Sequence, residues 1–281
     1  MACKIQFFFR RGEDMLVIGD NEYGIVDYSG LEAPEYEYDT ETRLSGYGST
    51  IRSRRIPERE ITITAEYKSR RVGKEEAREE VMKFFRPYSS GCLTIRRGTR
   101  ERKIDYEISE FRSKNTNIHD RFQFQVTLLC SNPALLSARE YVNVTEWRDG
   151  LRFPFQLPFS FRKRGGTSVV INNEGNLETP VLIQFYGPAL NPVIWNESTH
   201  EHVKVNAELK DGDVLEINTD FGAKSVIRRS GNEAVNMNQV LDLTSRFFWL
   251  QLGENLISYS SDSEAQKNRV LVSYQERYLG I

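Results

Sequence analysis

The side chains able to do chemistry are few and scattered. His119, His200 and His202 are the only imidazoles in the chain, and a nucleophilic Ser or Cys needs a base of that kind within hydrogen-bond reach. His200-Glu201-His202 puts two imidazoles at i and i+2. On a strand these point to one face, a spacing that can hold a metal ion. No third ligand is identifiable, and the polar turn Asn196–Ser198 lies alongside, so a solvated strand start is the favoured reading. Cys3, Cys92 and Cys130 are far apart and lack a C-x-x-C spacing. That argues against a disulfide framework or structural zinc, and for a reducing compartment. Gly46-Tyr47-Gly48-Ser49 lacks the continuation of a phosphate loop and reads as a turn. No Gly-x-Ser-x-Gly elbow and no His-Glu-x-x-His occurs. The 40 acids offer many carboxylate pairs, but such chemistry depends on a separation that sequence does not give. No catalytic residue, metal or cofactor is assigned. Trp195 is the one candidate for stacking on a glycan, set against the commoner role of a core or rim aromatic in a β-sandwich.

These residues sit in 281 positions that are 39% hydrophobic and 28% charged, a globular composition. No apolar run approaches the ~20 residues of a membrane-spanning helix. The formal net charge of −2 argues against a dedicated DNA-binding protein. It conceals segregation: residues 1–50 hold 4 basic and 10 acidic side chains, whereas residues 51–100 hold 14 basic and 7 acidic. The acidic run contains Glu32, Glu35, Glu37, Asp39 and Glu41; the basic run contains Arg52, Arg54, Arg55 and Arg59. A second basic group is Arg96, Arg97, Arg100, Arg102 and Lys103. Neither is interleaved with the aromatic side chains that stack on single-stranded nucleic acid.

The elements that carry them are mainly strands. Ile61, Ile63, Ala65 and Tyr67 alternate with polar residues, as do Phe122, Phe124, Val126 and Leu128. Arg97-Gly98-Thr99 supplies a turn between Leu93–Arg96 and Lys103–Ile108, which predicts a hairpin. One helix is predicted over 74–86: Ala77, Val81, Phe84 and Phe85 form its apolar stripe, and Pro87 stops it. Ser131–Glu140 reads as a linker. Beyond it, short apolar runs (Val181–Ile183, Val203/Val205, Val214–Ile217, Phe247–Leu250, Val270–Tyr274) recur between turn signals, the pattern of a β-sandwich or jelly roll. Two domains are expected, residues 1–135 and 136–281.

The order and spacing of several segments resemble a known family. Asp27–Tyr38 (DYSGLEAPEYEY), Gly46–Ser49, Ile56–Tyr67 (IPEREITITAEY), Lys74–Pro87 (KEEAREEVMKFFRP) and Phe122–Pro133 (FQFQVTLLCSNP) look like the N-terminal domain of siphophage distal tail (Dit) proteins. Asn173–Pro180, Gly187–Pro192, Gly212–Thr219, Phe247–Tyr259 and Val270–Ile281 match the second half. The resemblance implies a mainly β fold: an N-terminal β-sandwich-like domain with one helix and a β-hairpin, then a galectin-like C-terminal β-sandwich. It implies a non-enzymatic virion protein of the tail tip or baseplate, assembled in the host bacterial cytoplasm. Such proteins form a homohexameric ring from their N-terminal domains. The implied partners are further copies of the chain, the tail tube protein, a tail-associated lysin or baseplate component, and receptor-binding proteins. DNA passes only in transit through the lumen, and no membrane is engaged. The alternative is a carbohydrate-binding module that recognises host-surface glycan.

A closed ring needs a heterologous interface, in which one face of a subunit meets a different face of the next. Complementary charge sets register across such an interface. The charge pattern therefore makes Arg52, Arg54, Arg55 and Arg59 ring-interface candidates. Glu32, Glu35, Glu37, Asp39 and Glu41 are expected on the opposed ring surface or along the lumen, where they would repel DNA phosphates.

Overall fold

In a computed structural model of the chain, which describes residues 5–42, 47–69, 71–114, 121–144, 168–263 and 269–281, the alternating apolar segments pair into antiparallel sheets. Two compact units result: Met1–Ala138 together with Tyr278–Ile281, and Arg139–Arg277.

The first unit contains β1 (Ile5–Arg11), β2 (Asp14–Ile18), β3 (Tyr23–Ser29), β4 (Glu37–Thr42), β5 (Ser49–Arg55) and β6 (Arg59–Tyr67). Then come α1 (Lys74–Phe84), β7 (Ser90–Arg97), β8 (Arg100–Lys114), β9 (Gln123–Cys130) and β10 (Leu135–Leu136). One sheet runs in the order β2-β1-β7-β8-β9-β6-β3. Its two end strands, β2 and β3, are joined by a short turn closed by Gly19 N–H donating to Tyr23 O at 2.7 Å, so the sheet has to roll around the core it covers. Asp20 Oδ1 accepts from the amides of Glu22 and Tyr23, both at 2.9 Å, and fixes that turn. Alternation on β6 buries Ile61, Ile63 and Ala65 completely. Their neighbours in the core are aromatic: Phe9, Phe85 and Tyr106, with Phe122 and Phe124, pack with ring centroids 5.1–6.1 Å apart. Each such pair adds about 0.5–1.5 kcal/mol beyond area burial.

Helix α1 ends two residues before the end at residue 86 expected from the sequence. Phe85 leaves the helical region (φ −89°, ψ 57°), although its N–H still reaches Val81 O and its side chain is buried. Arg11 explains the stop, because its Nη1 donates to Phe84 O at 2.5 Å and so satisfies a helix-end carbonyl that has no partner along the helix. Ser131–Glu140 is not a free linker. Ala134 and Leu135 are buried, and β10 pairs with β8 through Leu136 and Lys103.

The second unit contains β11 (Glu140–Asn143), β12 (Ser168–Asn173), β13 (Thr179–Tyr186), β14 (Ala189–Leu190), β15 (Val193–Asn196) and β16 (Glu201–Lys204). It continues with β17 (Glu208–Leu209), β18 (Asp213–Asn218), β19 (Ser225–Ser230), β20 (Glu233–Asn236), β21 (Trp249–Leu250), β22 (Gly253–Ser260) and β23 (Arg269–Tyr274). A sheet in the order β11-β23-β13-β18-β19-β20 and a four-stranded sheet, β12-β22-β15-β16, bury one shared core. Ile183 and Phe185 of the first and Ile194, Val203 and Ile257 of the second belong to it, which makes this unit a β-sandwich. Buried asparagines hold its turns: Asn255 accepts from Gln251 N–H and donates to Gln251 O and Gly253 O, at 2.8–2.9 Å. A last strand, β24 (Arg277–Tyr278), pairs with β10, and Tyr278–Ile281 belongs to the first unit.

Candidate functional site

Strands β4 and β5 form a two-stranded sheet of their own, and every residue of both is exposed. A ribbon of two strands is marginal in water without a surface to pack on. Its two faces differ chemically. Directly opposed residues of an antiparallel pair share a face, so Glu37 with Arg55 and Asp39 with Ser53 lie on one side. Tyr38 with Arg54 and Thr40 with Ile51 lie on the other. The register shifts between Asp39 and Thr40. This bulge aims Arg52 at the charged side, where it forks onto Glu41 at 2.6 and 2.9 Å, while Arg55 meets Glu37 at 2.9 Å. The opposite side carries Tyr38 and Ile51, each about half exposed, and Arg54.

Four of the charged candidates are thus cross-strand neighbours within the ribbon, Glu37 with Arg55 and Glu41 with Arg52. Glu32 and Glu35 are exposed ahead of β4.

Arg59 separates from the other three arginines. It opens β6 at 3% exposure, so it is no surface candidate. Its Nε donates to Pro133 O at 2.8 Å, and its Nη1 to Gly30 O and Glu32 O at 2.9 Å. Its Nη2 donates to Leu279 O at 2.5 Å. Burial lowers its pKa from the ordinary guanidinium value, opposed by Cys130 and Glu32. Gly30 is required beside it: φ is +83°, and a Cβ there would collide with the Glu60 carbonyl.

In the second unit, Trp195 is half-buried on β15, and His202 of β16 stacks on its ring at 4.1 Å between centroids. His202 Nε2 lies 3.1 Å from Thr244 Oγ1, which donates to Asp242 Oδ1 at 2.6 Å. His200 lies before β16 in the turn, at φ +57°, so the two imidazoles do not share a strand face. Among the described residues, no three His, Cys, Asp or Glu side chains are grouped to hold a metal ion. His119 and Cys3 lie outside the described residues.

The fold defines a class before any sequence match does: a rolled antiparallel sheet with one helix and a projecting ribbon, carried on the same chain as a β-sandwich. Residues 174–278 match the family described as siphovirus-type tail component, C-terminal domain. The resemblance drawn from the segments of the second half is met by this family comparison. Among solved structures, the Dit protein of phage SPP1 is similar over 97% of this chain and 98% of its own, with a TM-score of 0.66 and 12% identity. It is described as a paradigm of the hub adsorption apparatus in phages infecting Gram-positive bacteria. A chain of the phage P2 baseplate in its activated conformation with Ca is similar over the whole of both chains, with a TM-score of 0.56 and 14% identity. The corresponding structure with Sr gives a TM-score of 0.55 over 99% of each chain. Comparison with curated protein sequences gives no match.

Proposed function

We propose that the chain is a non-enzymatic hub of a siphophage tail tip, forming a ring that joins the tail tube to the adsorption apparatus. The observation that carries this reading is the correspondence of fold along nearly the full length with the Dit protein of SPP1. The family match across 174–278 supports it from sequence.

Within that reading, the β4–β5 ribbon is the ring contact. Its Tyr38/Ile51/Arg54 side packs on the next copy, and its Glu37/Arg55 and Glu41/Arg52 side stays in water or faces the lumen. Arg54 is thus the contact arginine, whereas Arg52 and Arg55 shield the acidic strand. A heterologous contact suits a ribbon that projects from one subunit and finds no sheet of its own to join. Exposed ion pairs are worth only about 0.2–1 kcal/mol each, so the ribbon's worth lies in assembly rather than in holding the monomer together.

Light scattering over a concentration series, with negative-stain imaging, tests the reading. A six-fold ring with a central pore is expected for the native chain, and Tyr38→Glu/Ile51→Glu should reduce it to monomer with unchanged circular dichroism. A chain that stays monomeric at every concentration and beside the tail tube protein would overturn the hub. A ring unaffected by the double substitution would overturn the ribbon contact.

A further inference from the structure

We infer that Tyr278–Ile281 is a clasp that completes the first unit, so that this unit closes only after all of Arg139–Arg277 has been synthesised. Several separate attachments hold the segment. Leu279 O accepts from Arg59, 220 positions earlier in the chain. The Arg102 guanidinium stacks 3.6 Å from the Tyr278 ring centroid. Strand β24 pairs with β10. Tyr278 and Ile281 pack against the apolar core of the unit. Gly280 lies along the Leu31–Ala33 backbone so closely that a Cβ would touch it at 3.4–3.6 Å.

The clasp matters because of what Arg59 is. Its four hydrogen bonds go to backbone carbonyls, and it is buried. A guanidinium is a planar fork of five donors that does not deprotonate. Without Leu279 O, a donor of a buried cation is left unpaired, which costs more than the bond itself contributed. The same side chain holds the Gly30–Glu32 segment and Pro133, so loosening it loosens the connection into β4 and the exit from β9. Synthesis runs from the N-terminus and domains fold as they emerge. Strands β1 to β10 are therefore ready long before the clasp exists. If the chain is a ring hub as proposed, the ribbon-bearing unit stays unclasped until translation has passed the sandwich, and unfinished chains are held back from assembly.

Pulse proteolysis of ribosome-bound nascent chains tests this directly. One chain is stalled with Arg277 outside the tunnel and Tyr278–Ile281 within it, the other with Ile281 outside on a linker. Cleavage within β1–β10 is expected to be at least about tenfold faster in the first, with equal resistance in the second unit. Equal cleavage of the first unit in both would overturn the clasp. In the released full chain, Tyr278→Ala should lower amide protection of β6 and β9 by a similar factor and leave β13 and β18 unchanged. No loss, or an equal loss in both units, would also overturn it. The nascent-chain readout does not involve oligomers, so a chain that clasps yet never forms a ring would overturn the hub and leave the clasp standing.

Discussion

Replacing Arg59 by Met keeps most of the aliphatic stem and deletes the guanidinium, isolating the polar part of its role. The side chain donates four hydrogen bonds, at 2.5–2.9 Å, to Pro133, Gly30, Glu32 and Leu279 carbonyls. A hydrogen bond involving a charged group contributes about 1.5–3 kcal/mol, so four give roughly 6–12 kcal/mol as an upper bound. The charge itself is disfavoured by burial, as its lowered pKa indicates, and that penalty is recovered when it is removed. Removing the guanidinium leaves four carbonyls without this donor, at about 1–3 kcal/mol each, and after the recovered desolvation we expect a net loss of roughly 3–5 kcal/mol. For a unit of this size, the shift in midpoint is about 10–20 °C. Calorimetry with hydrogen exchange assigned to each unit is the assay, because the loss should fall on β6, β9 and their neighbours and spare the sandwich. Arg59→Lys should recover only part of the loss, since an ammonium has three donors and no planar fork. A change below about 1 kcal/mol in Arg59→Met would refute the reasoning, since it would mean that desolvation offsets all four bonds.

Three further outcomes follow from the geometry. Arg54→Glu should weaken ring formation more than Arg55→Glu does, by light scattering, with monomer stability changed by less than about 1 kcal/mol in either case; the reverse order would place the contact on the charged side. Asp242 accepts from the Thr244 hydroxyl and amide and from Asn206, which hold its carboxyl at about 2, below the ordinary 3.8. A depressed carboxyl stabilises above its unfolded pKa and stops doing so as pH falls through its folded one. The protection factor of the Thr244 amide, its exchange rate relative to an unstructured peptide at the same pH, should therefore be constant above about pH 4 and fall toward pH 2, and Asp242→Asn should flatten that profile. Burial pushes the Cys130 thiol up to about 12, so its contribution is complete below the ordinary 9.0 and fades as pH rises through that range. At pH 8 it should resist alkylation until the first unit opens, and Arg59→Met should speed the reaction about tenfold for each ~1.4 kcal/mol of stability lost.

What was legible in the sequence is what depends on local pattern. Alternation at Ile61–Tyr67 and Phe122–Leu128 gave β6 and β9 because one face of each is buried. Gly98, at φ +65°, turns β7 into β8 where Arg97-Gly98-Thr99 predicts a turn. Long-range choices left no such trace. Arg59 is one arginine among several within eight positions, and only its carbonyl acceptors, one of them 220 residues away, distinguish it from Arg52 and Arg55. The charge segregation was real, but sequence could not show that Glu37 and Glu41 would pair across strands with Arg55 and Arg52. Ser131–Glu140 looked like a linker by its Ser, Asn and Pro, while Leu135 supplies a buried anchor that no period marks. His200 and His202 failed to share a face because the turn extends one residue further than the spacing suggested.

The pairing of β10 with β24 has a consequence for how such a chain can diversify. The outgoing and returning strands lie side by side, at the spacing of neighbouring strands, about 4.8 Å. The whole stretch Arg139–Arg277 is thus threaded between two adjacent points of a completed sheet. Recombination can exchange that stretch for any domain whose own ends lie comparably close, which is common. Strands β1 to β10, the ribbon and the Arg59 site need not change by a single residue. On the hub reading proposed above, such an exchange would alter what the protein displays while conserving how its ring-forming unit is built.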